Sequence, residues 1–400
     1  MRIKYCITHP IQYLAPLLRA LAAREEVDLE VIYAADMGAR EYYDPGFSRE
    51  LAWDVSVLQG YKYLTLTPGG KVRAGLRGAR SGGVAKYLDK RNTDAVIIHG
   101  WGNYFYLAAT LAAALKRIPI LYRTDINRFY DQAAFRPLTR THRAARAFKP
   151  LILSLLFKRI DGFLAVGSLN REYYLSCGVS PERIFSAPLS INNDLFAPER
   201  ASGEMRDSLR KKLDLKPHTF KVIFNGKLIA RKRPRDMVEA VAGMEQKHKI
   251  EVIFLGDGEL MEELKALARD RGLAARFAGF VNQSELPAYY SLGDLLILPS
   301  ENEPWGLVVN EAMAMGLPAA VSDMVGCAPD LVIPGRTGYI FPVGDVKALA
   351  EIIARVAGSA ALQDQLRAGA AAMAASHTMA ATVDGYIKAI QAVVLRAARP

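Results

Sequence analysis

Two carboxylates, Glu303 and Glu311, stand in the run "PSENEPWGLVVNEAMAMGLPAAVSD", where most neighbours are apolar. A buried carboxylate is costly unless it is paired or hydrogen-bonded, so each needs a partner. Pro304 biases Glu303 toward extended backbone and favours a helix starting immediately after it, with "GLVVNEAMAM" supplying the turns. Glu311 then lies about 12 Å along an ideal helix from Glu303. One carboxylate can meet one end of an elongated ligand while the other reaches a more distant part. The first-turn N–H groups of Gly306, Leu307 and Val308 point toward the same space and suit an anion. A helix cap at Glu303 and an ion pair at Glu311 account for the two residues equally well.

A basic loop offers the complementary charge. In "FKVIFNGKLIARKRP" a strand-like run ends at Asn225 and Gly226, and Lys227, Arg231, Lys232 and Arg233 follow. Gly226 lets backbone approach a ligand closely, and cations beside a helix start neutralise a diphosphate. The alternative is a solvated basic loop. In the first half, His9 and Gln12 follow the first strand in "THPIQYLAP", where they face a ligand cleft or sit in a structural loop held by Pro10. His99 closes "DAVIIH", where a lone histidine is often merely structural; Arg123 and Asp125 end "ILYRTDIN" on the same side, suited to acceptor binding or to an interdomain salt bridge. In "FRPLTRTHRAARAFKPLILSLLFKRIDG", Arg136, Arg140, Arg143 and Lys149 recur near helical spacing among Phe135, Leu138 and Phe148. That pattern fits an interfacial helix on anionic lipid or a solvated helix beside a core helix.

The elements that must hold these residues are short apolar strands separated by helices. "RIKYCIT", "DLEVIYAA", "DAVIIHG", "IPILYRTD" and "GFLAVGS" serve the first half; "FKVIFNG", "IEVIFLG", "RFAGFV", "DLLILPS" and "PAAVSD" serve the second. Such spacing marks parallel sheets covered on both faces, whose ligands bind beyond the carboxyl ends of the strands. At 400 residues the chain exceeds one usual core, so two α/β doubly wound domains in tandem are expected. The patterning lapses in "LSINNDLFAPERASGEM", which puts the boundary near residue 195: an N-terminal domain over 1–195, a second over 196–375, and a terminal helix over 376–400 that could pack on the first domain. The net charge of +11, from 52 Lys and Arg against 41 Asp and Glu, attracts anions without choosing among phosphates, nucleic acid and lipid. Three widely spaced cysteines, Cys6, Cys177 and Cys327, support neither a disulfide framework nor a zinc knuckle and fit a reducing cytoplasm. No signal peptide and no spanning helix is read from the sequence.

With these stretches together, "ENEPWGLVVNEAMAMGLPAAVSD" resembles the Glu-x7-Glu motif of the retaining glycosyltransferases of family four, which have the GT-B fold of two facing Rossmann-like domains. "FNGKLIARK" is similar to that family's phosphate-binding pattern, and "IEVIFLGDGEL", "FAGFVNQSELPAYYSLGDLLILPS" and "GRTGYIFPVGD" follow in its order, so the resemblance covers nearly all of residues 217–375. It implies that Lys227 and Lys232 bind the donor diphosphate, Glu311 the ribose hydroxyls and Glu303 the transferred sugar, and that backbone near Phe280 and Val281 receives the base. It also implies that His99 faces the donor sugar, holding a hydroxyl or stabilising developing charge. Lys227 stands where the family usually has Arg, exchanging a bidentate fork for a point charge. Trp305 replaces a common Phe, and "THPIQYLAP" replaces a glycine-rich first loop.

The resemblance implies an enzyme moving a sugar from a nucleotide-diphosphate donor to a glycan or lipid-linked acceptor. No metal and no cofactor is expected; the cations do the work a divalent ion does elsewhere, and the chain has no Asp-x-Asp pair. A nucleotide-sugar epimerase of the same fold and a catalytically silent scaffold that binds nucleotide sugars or membranes are the other readings. Nucleic-acid binding has only charge behind it, with no recognised module. The expected location is the cytoplasm, at the inner face of the membrane if the basic helix docks there.

Overall fold

The computed structural model describes residues 1–72, 75, 77–79, 82–129, 153–245 and 249–398. The basic segment containing Arg136, Arg140, Arg143 and Lys149 lies outside the described residues. The chain forms two compact units: Met1–Tyr42 with Val55–Leu189 and Met379–Pro400, and Tyr43–Asp54 with Ser190–Thr378.

In chain order the strands of the first half are β1 (Arg2–Ile7), β2 (Asp28–Ala35), β3 (Tyr42–Asp44), β4 (Arg49–Leu51), β5 (Lys62–Thr67), β6 (Ala95–Ile98), β7 (Ile120–Thr124), β8 (Gly162–Ala165) and β9 (Ile184–Ser186). Seven of them make one sheet in the order β5-β2-β1-β6-β7-β8-β9, all neighbours parallel. Central strands such as β6 (AVII) are buried throughout because helices cover both faces. On one face Ile3, Tyr5 and Ile7 pack with Leu17 and Leu21 of the helix Ala15–Ala22 and with Tyr386 and Ile390 of the helix Met379–Ala397. The terminal helix is also pinned by Thr382, whose hydroxyl donates to Pro188 O at 2.7 Å. On the other face Ile98, Phe105, Tyr122, Phe157 and Phe163 make a second core.

The second unit adds β10 (Phe220–Asn225), β11 (Ile250–Leu255), β12 (Ala274–Gly279), β13 (Leu295–Leu298), β14 (Ala319–Ser322) and β15 (Gly338–Phe341). They form a parallel sheet in the order β12-β11-β10-β13-β14-β15. Strand order reverses between β10 and β13 here, and between β1 and β6 in the first unit. Those are the switch points where crossovers leave toward opposite faces and open a crevice at the carboxyl ends. The loop after β10 is set by direct backbone packing: Gly226 N donates to Leu255 O and Leu228 N to Asp257 O, each at 2.9 Å. Gly256, at φ +142°, allows this, since a Cβ there would lie 1.9 Å from Gly226 O. Among the described residues no helix is long and apolar enough to cross a membrane.

Every strand expected from apolar runs is present. β3, β4, β5, β9 and β15 were not expected: β5 and β15 are partly exposed edges of their sheets, and β3, β4 and β9 have only three residues each. The units also part company with a single cut near residue 195: the division falls between Leu189 and Ser190, and Tyr43–Asp54, with β4 inside it, belongs to the second unit. Too short and polar to show a period, that segment carries no sequence mark of where it packs.

Candidate functional site

In the second unit both charged stretches emerge at the switch point, one after β10 and the other after β13, which pair in register from Val222 with Leu295. Lys232 sits in the turn Ala230–Lys232, and Arg233 follows in left-handed backbone at φ +50° before Pro234 starts the helix Pro234–Ala242. Lys232 Nζ contacts Glu303 Oε2 directly, each side chain 12% exposed. Backbone ties hold the two loops together: Glu301 N donates to Arg231 O at 3.0 Å, and Arg231 Nη1 donates to Asn302 O at 3.1 Å. Ser300 Oγ and Asn302 Oδ1, in the same loop, are buried without a hydrogen-bond partner, as atoms awaiting a ligand's hydroxyls would be.

Glu303 itself is extended and forms a β-bridge to Val325, with Gly326 N donating to Glu303 O at 2.9 Å. The expected helix start immediately after Pro304 is therefore corrected. The helix runs Leu307–Ala314, because Gly306 takes a left-handed φ of +100° that turns the chain into it. Gly306 offers no side chain to cap that helix, and the N–H groups of Leu307 and Val308 have no partner within it.

Glu311 is buried on this helix, and its partners are a phenol and a side-chain amide. Tyr290 O–H donates to Glu311 Oε2 at 2.7 Å, Gln283 adds a second hydrogen bond, and Asn225 Nδ2 donates to Tyr290 O at 2.6 Å. Burial pushes the Glu311 carboxyl up to about 7, against the opposing pull of those two hydrogen bonds. No cation is needed to account for it.

Lys227 Nζ is held by both carboxylate oxygens of Asp44, at 2.7 and 2.9 Å. Phe280 is half-buried, with Phe47 and Trp53 edge-on to its ring, while Val281 is buried. Asp44, Tyr290 and Gln283 were missed by sequence reasoning. Tyr290 reads as a core aromatic, and Asp44 is far away along the chain.

In the first unit His9, His99, Arg123 and Asp125 gather at the carboxyl ends of β1, β6 and β7. His9 Nδ1 lies 3.0 Å from the Thr8 hydroxyl, and burial lowers its imidazole to about 4. Gln12 is partly buried in the same loop. His99 has both ring nitrogens engaged, Nδ1 with Tyr5 Oη and Nε2 with Arg123 Nη1, each at 3.1 Å. A guanidinium only donates, so Nε2 accepts and the ring proton resides on Nδ1. Burial, then the charges of Arg123 and His9, hold this imidazole well below its ordinary range, which keeps it neutral. Arg123 is 1% exposed, shares a hydrogen bond with Tyr386, and has its Nε without a partner.

Residues 205–373 match the family model described as glycosyl transferases group 1, and residues 10–189 that of the glycosyl transferase 4-like domain. The sulfoquinovosyl transferase SQD2 of Arabidopsis thaliana is 35% identical over 160 residues, 39% of this chain and 30% of that protein. The chain spans between 30% and 59% of the length of the curated relatives it matches. A Rickettsia africae glycosyltransferase superposes with a TM-score of 0.74 at 14% identity, over 98% of each chain. Anabaena Alr3699/HepE, solved with UDP and glucose, superposes at 0.72 with 18% identity, over 98% of this chain and 100% of that one. At such identities the likeness establishes the fold.

Proposed function

The chain belongs to the group 1 glycosyltransferases, of the four-type class and the GT-B fold, and on that premise we propose that it transfers a sugar, with retention, from a nucleoside-diphosphate donor to a glycan or lipid-linked acceptor. The reading places the enzyme in cell-surface polysaccharide or glycolipid synthesis. One observation carries it: Lys232 and Glu303 meet at the β10/β13 switch point while Glu311 stands on the helix Leu307–Ala314 that follows Glu303, with its carboxylate held by Tyr290. A diphosphate exchanges for Glu303 on Lys232, and the freed Glu303 turns to the sugar hydroxyls. The ribose hydroxyls donate to Glu311, which its two neutral partners leave with spare acceptor sites.

In the transfer, the acceptor oxygen bonds to the anomeric carbon as the bond to the diphosphate oxygen breaks. The electron pair stays on the diphosphate, where Lys227, Lys232 and the uncapped helix start supply positive charge without a metal. The acceptor's proton passes to the departing phosphate oxygen. His99, neutral and with Nδ1 protonated, would offer a sugar hydroxyl its Nε2 only by giving up Arg123. His9, Gln12 and Asp125 are assigned to the acceptor side, and Arg123 to holding His99.

HepE, solved with UDP-glucose, supports the donor class. A thermal-shift screen against UDP-, GDP- and ADP-sugars tests it, since a ligand bound by the folded chain raises its melting temperature. Glu311→Ala and Lys232→Ala should each abolish that rise; unchanged donor affinity in both would overturn the assignment. Sugar release or transfer by the purified protein separates this reading from an epimerase, which keeps the nucleotide sugar intact, and from a silent scaffold. Membrane docking by the basic segment is tested by sedimentation with vesicles containing phosphatidylserine: binding should be lost in Arg136, Arg140 and Arg143 alanine variants, and its absence in the parent sinks the idea.

A further inference from the structure

The arm Tyr43–Asp54 lies between β2 and β5 in sequence yet belongs to the second unit. Its first strand ends at Asp44, whose Oδ1 accepts from Gly46 N at 2.8 Å and from Phe47 N at 3.3 Å, closing a tight turn. The same carboxylate holds Lys227 at 2.7 and 2.9 Å. Gly46 makes room for this contact, since a Cβ there would lie 2.6 Å from Lys227 Cδ and 2.8 Å from Nζ. Phe47 adds its ring face, 4.9 Å from the ammonium. Farther along, Phe280 is flanked by Phe47 at 5.1 Å, Trp53 at 5.9 Å and the Arg49 guanidinium at 5.4 Å. Asn282 Nδ2 donates to Ala52 O at 2.8 Å, and Ser284 N donates to Asp54 Oδ2 at 3.2 Å.

The arm thus grips the second unit at two places of different character. Around Phe280 to Ser284 the grip combines three aromatic rings with backbone hydrogen bonds. At Lys227 it is one ion pair, with the lysine side chain 30% exposed. We propose that the Asp44 end is a latch exchanged for the donor: Asp44 and a nucleoside diphosphate compete for the Lys227 ammonium, so binding of the diphosphate frees the Asp44 carboxylate and the Asp44–Gly46 turn while the Phe47 ring and the Trp53–Asn282 end stay docked on Phe280. The proposal rests on Lys227 being a diphosphate ligand. A diphosphate at hydrogen-bond distance from Lys227 would stand beside the Asp44 carboxylate, and like charges that close repel. A part-exposed ion pair is a weak one, which makes the exchange inexpensive. Lysine suits it better than arginine, because three rotatable donors on a flexible stem change partners without losing a bidentate fork.

The test is calorimetric titration of the full chain with UDP and GDP, for the parent, Asp44→Asn, Lys227→Met and the double variant. Asp44→Asn is expected to tighten the better-binding nucleotide by about three- to tenfold, the loss of one part-exposed ionic competitor. Lys227→Met should weaken it, and in the Lys227→Met background Asp44→Asn should give no gain. If Lys227→Met weakens binding but Asp44→Asn leaves it unchanged or weakens it, the latch is wrong and the donor site stands. If Lys227→Met changes nothing, the donor-site reading fails and the latch falls with it. Amide hydrogen exchange needs no variant: saturating nucleotide should speed exchange at Gly46 and Phe47 while Ser284 stays protected. Slower exchange at Gly46 and Phe47 would overturn the latch.

Discussion

At the ends of β10 and β13 the cations of the second unit meet carboxylates: Lys227 with Asp44, Lys232 with Glu303. At the ends of β6 and β7 in the first unit the Arg123 guanidinium instead meets a neutral imidazole and a phenol. An ion pair of the first kind can change one anion for another with little loss, because each partner keeps some water or a replacement charge. A network of the second kind is committed, since moving any member leaves buried donors or acceptors unmet. The same strand ends, on similar sheets, are thus built for exchange in one unit and for rigidity in the other.

The sharpest way to break that contrast is at Arg123. Arg123→Ala should cost about 3–5 kcal/mol, from a cavity plus the orphaned His99 Nε2 and the loss of one of the two hydrogen bonds of the Tyr386 hydroxyl, read as a lowered unfolding transition of the first unit. Full stability in Arg123→Met would show that the acceptors do not need the guanidinium. Lys232→Ala should weigh the other way, costing less stability than Arg123→Ala because the part-exposed Glu303 can turn toward water, while lowering kcat by about 10²–10³, as for loss of one charge stabiliser at a leaving group. A large loss of stability with kcat retained would place Lys232 among the committed residues.

Much of the exchange side was legible in the sequence, and little of the committed side. Lys227, Lys232 and Glu303 are charged residues in short loops next to strongly apolar strands, and Glu311 follows eight residues after Glu303, so their spacing carried them to the switch point. Gly306 moved the helix start by its left-handed backbone, which the Pro304 signal alone did not reveal. The His99 network joins Tyr5, His99, Arg123 and Tyr386, residues up to 381 positions apart, and a tyrosine that will be a partner looks the same in sequence as one that fills a core. Asp44 escaped for a related reason: a three-residue strand has no measurable period.

Glu311 shares features of both regions, being buried like Arg123 but at the switch point of the second unit. Its carboxyl is raised from 4.5 to about 7, mainly by burial. Between those values the folded chain holds a proton that the unfolded chain has released, so this group's contribution to stability is full below about 4.5 and is lost as pH rises through 7. From pH 5 to 8 the loss should be about 2–3 kcal/mol. Glu311→Gln should remove that slope, measured as the difference between parent and variant melting curves across the range. An unchanged slope would mean that Glu311 is ionised throughout and better solvated than its burial indicates.

The smallest expected effect separates the two partners of that carboxylate. Tyr290→Phe deletes the hydroxyl that donates to Glu311 and accepts from Asn225. The stability cost should be about 1 kcal/mol, because Asn225 can turn to water at the strand end. The hydrogen bond from Tyr290 pulls the Glu311 carboxyl down, so its removal must raise it further and move the midpoint of the pH slope above 7. If the ribose hydroxyls need the ionised form, donor affinity at neutral pH falls in Tyr290→Phe and recovers as pH rises. A midpoint that does not move would give the holding role to Gln283, and would make Tyr290 a packing residue like the aromatics of the first unit.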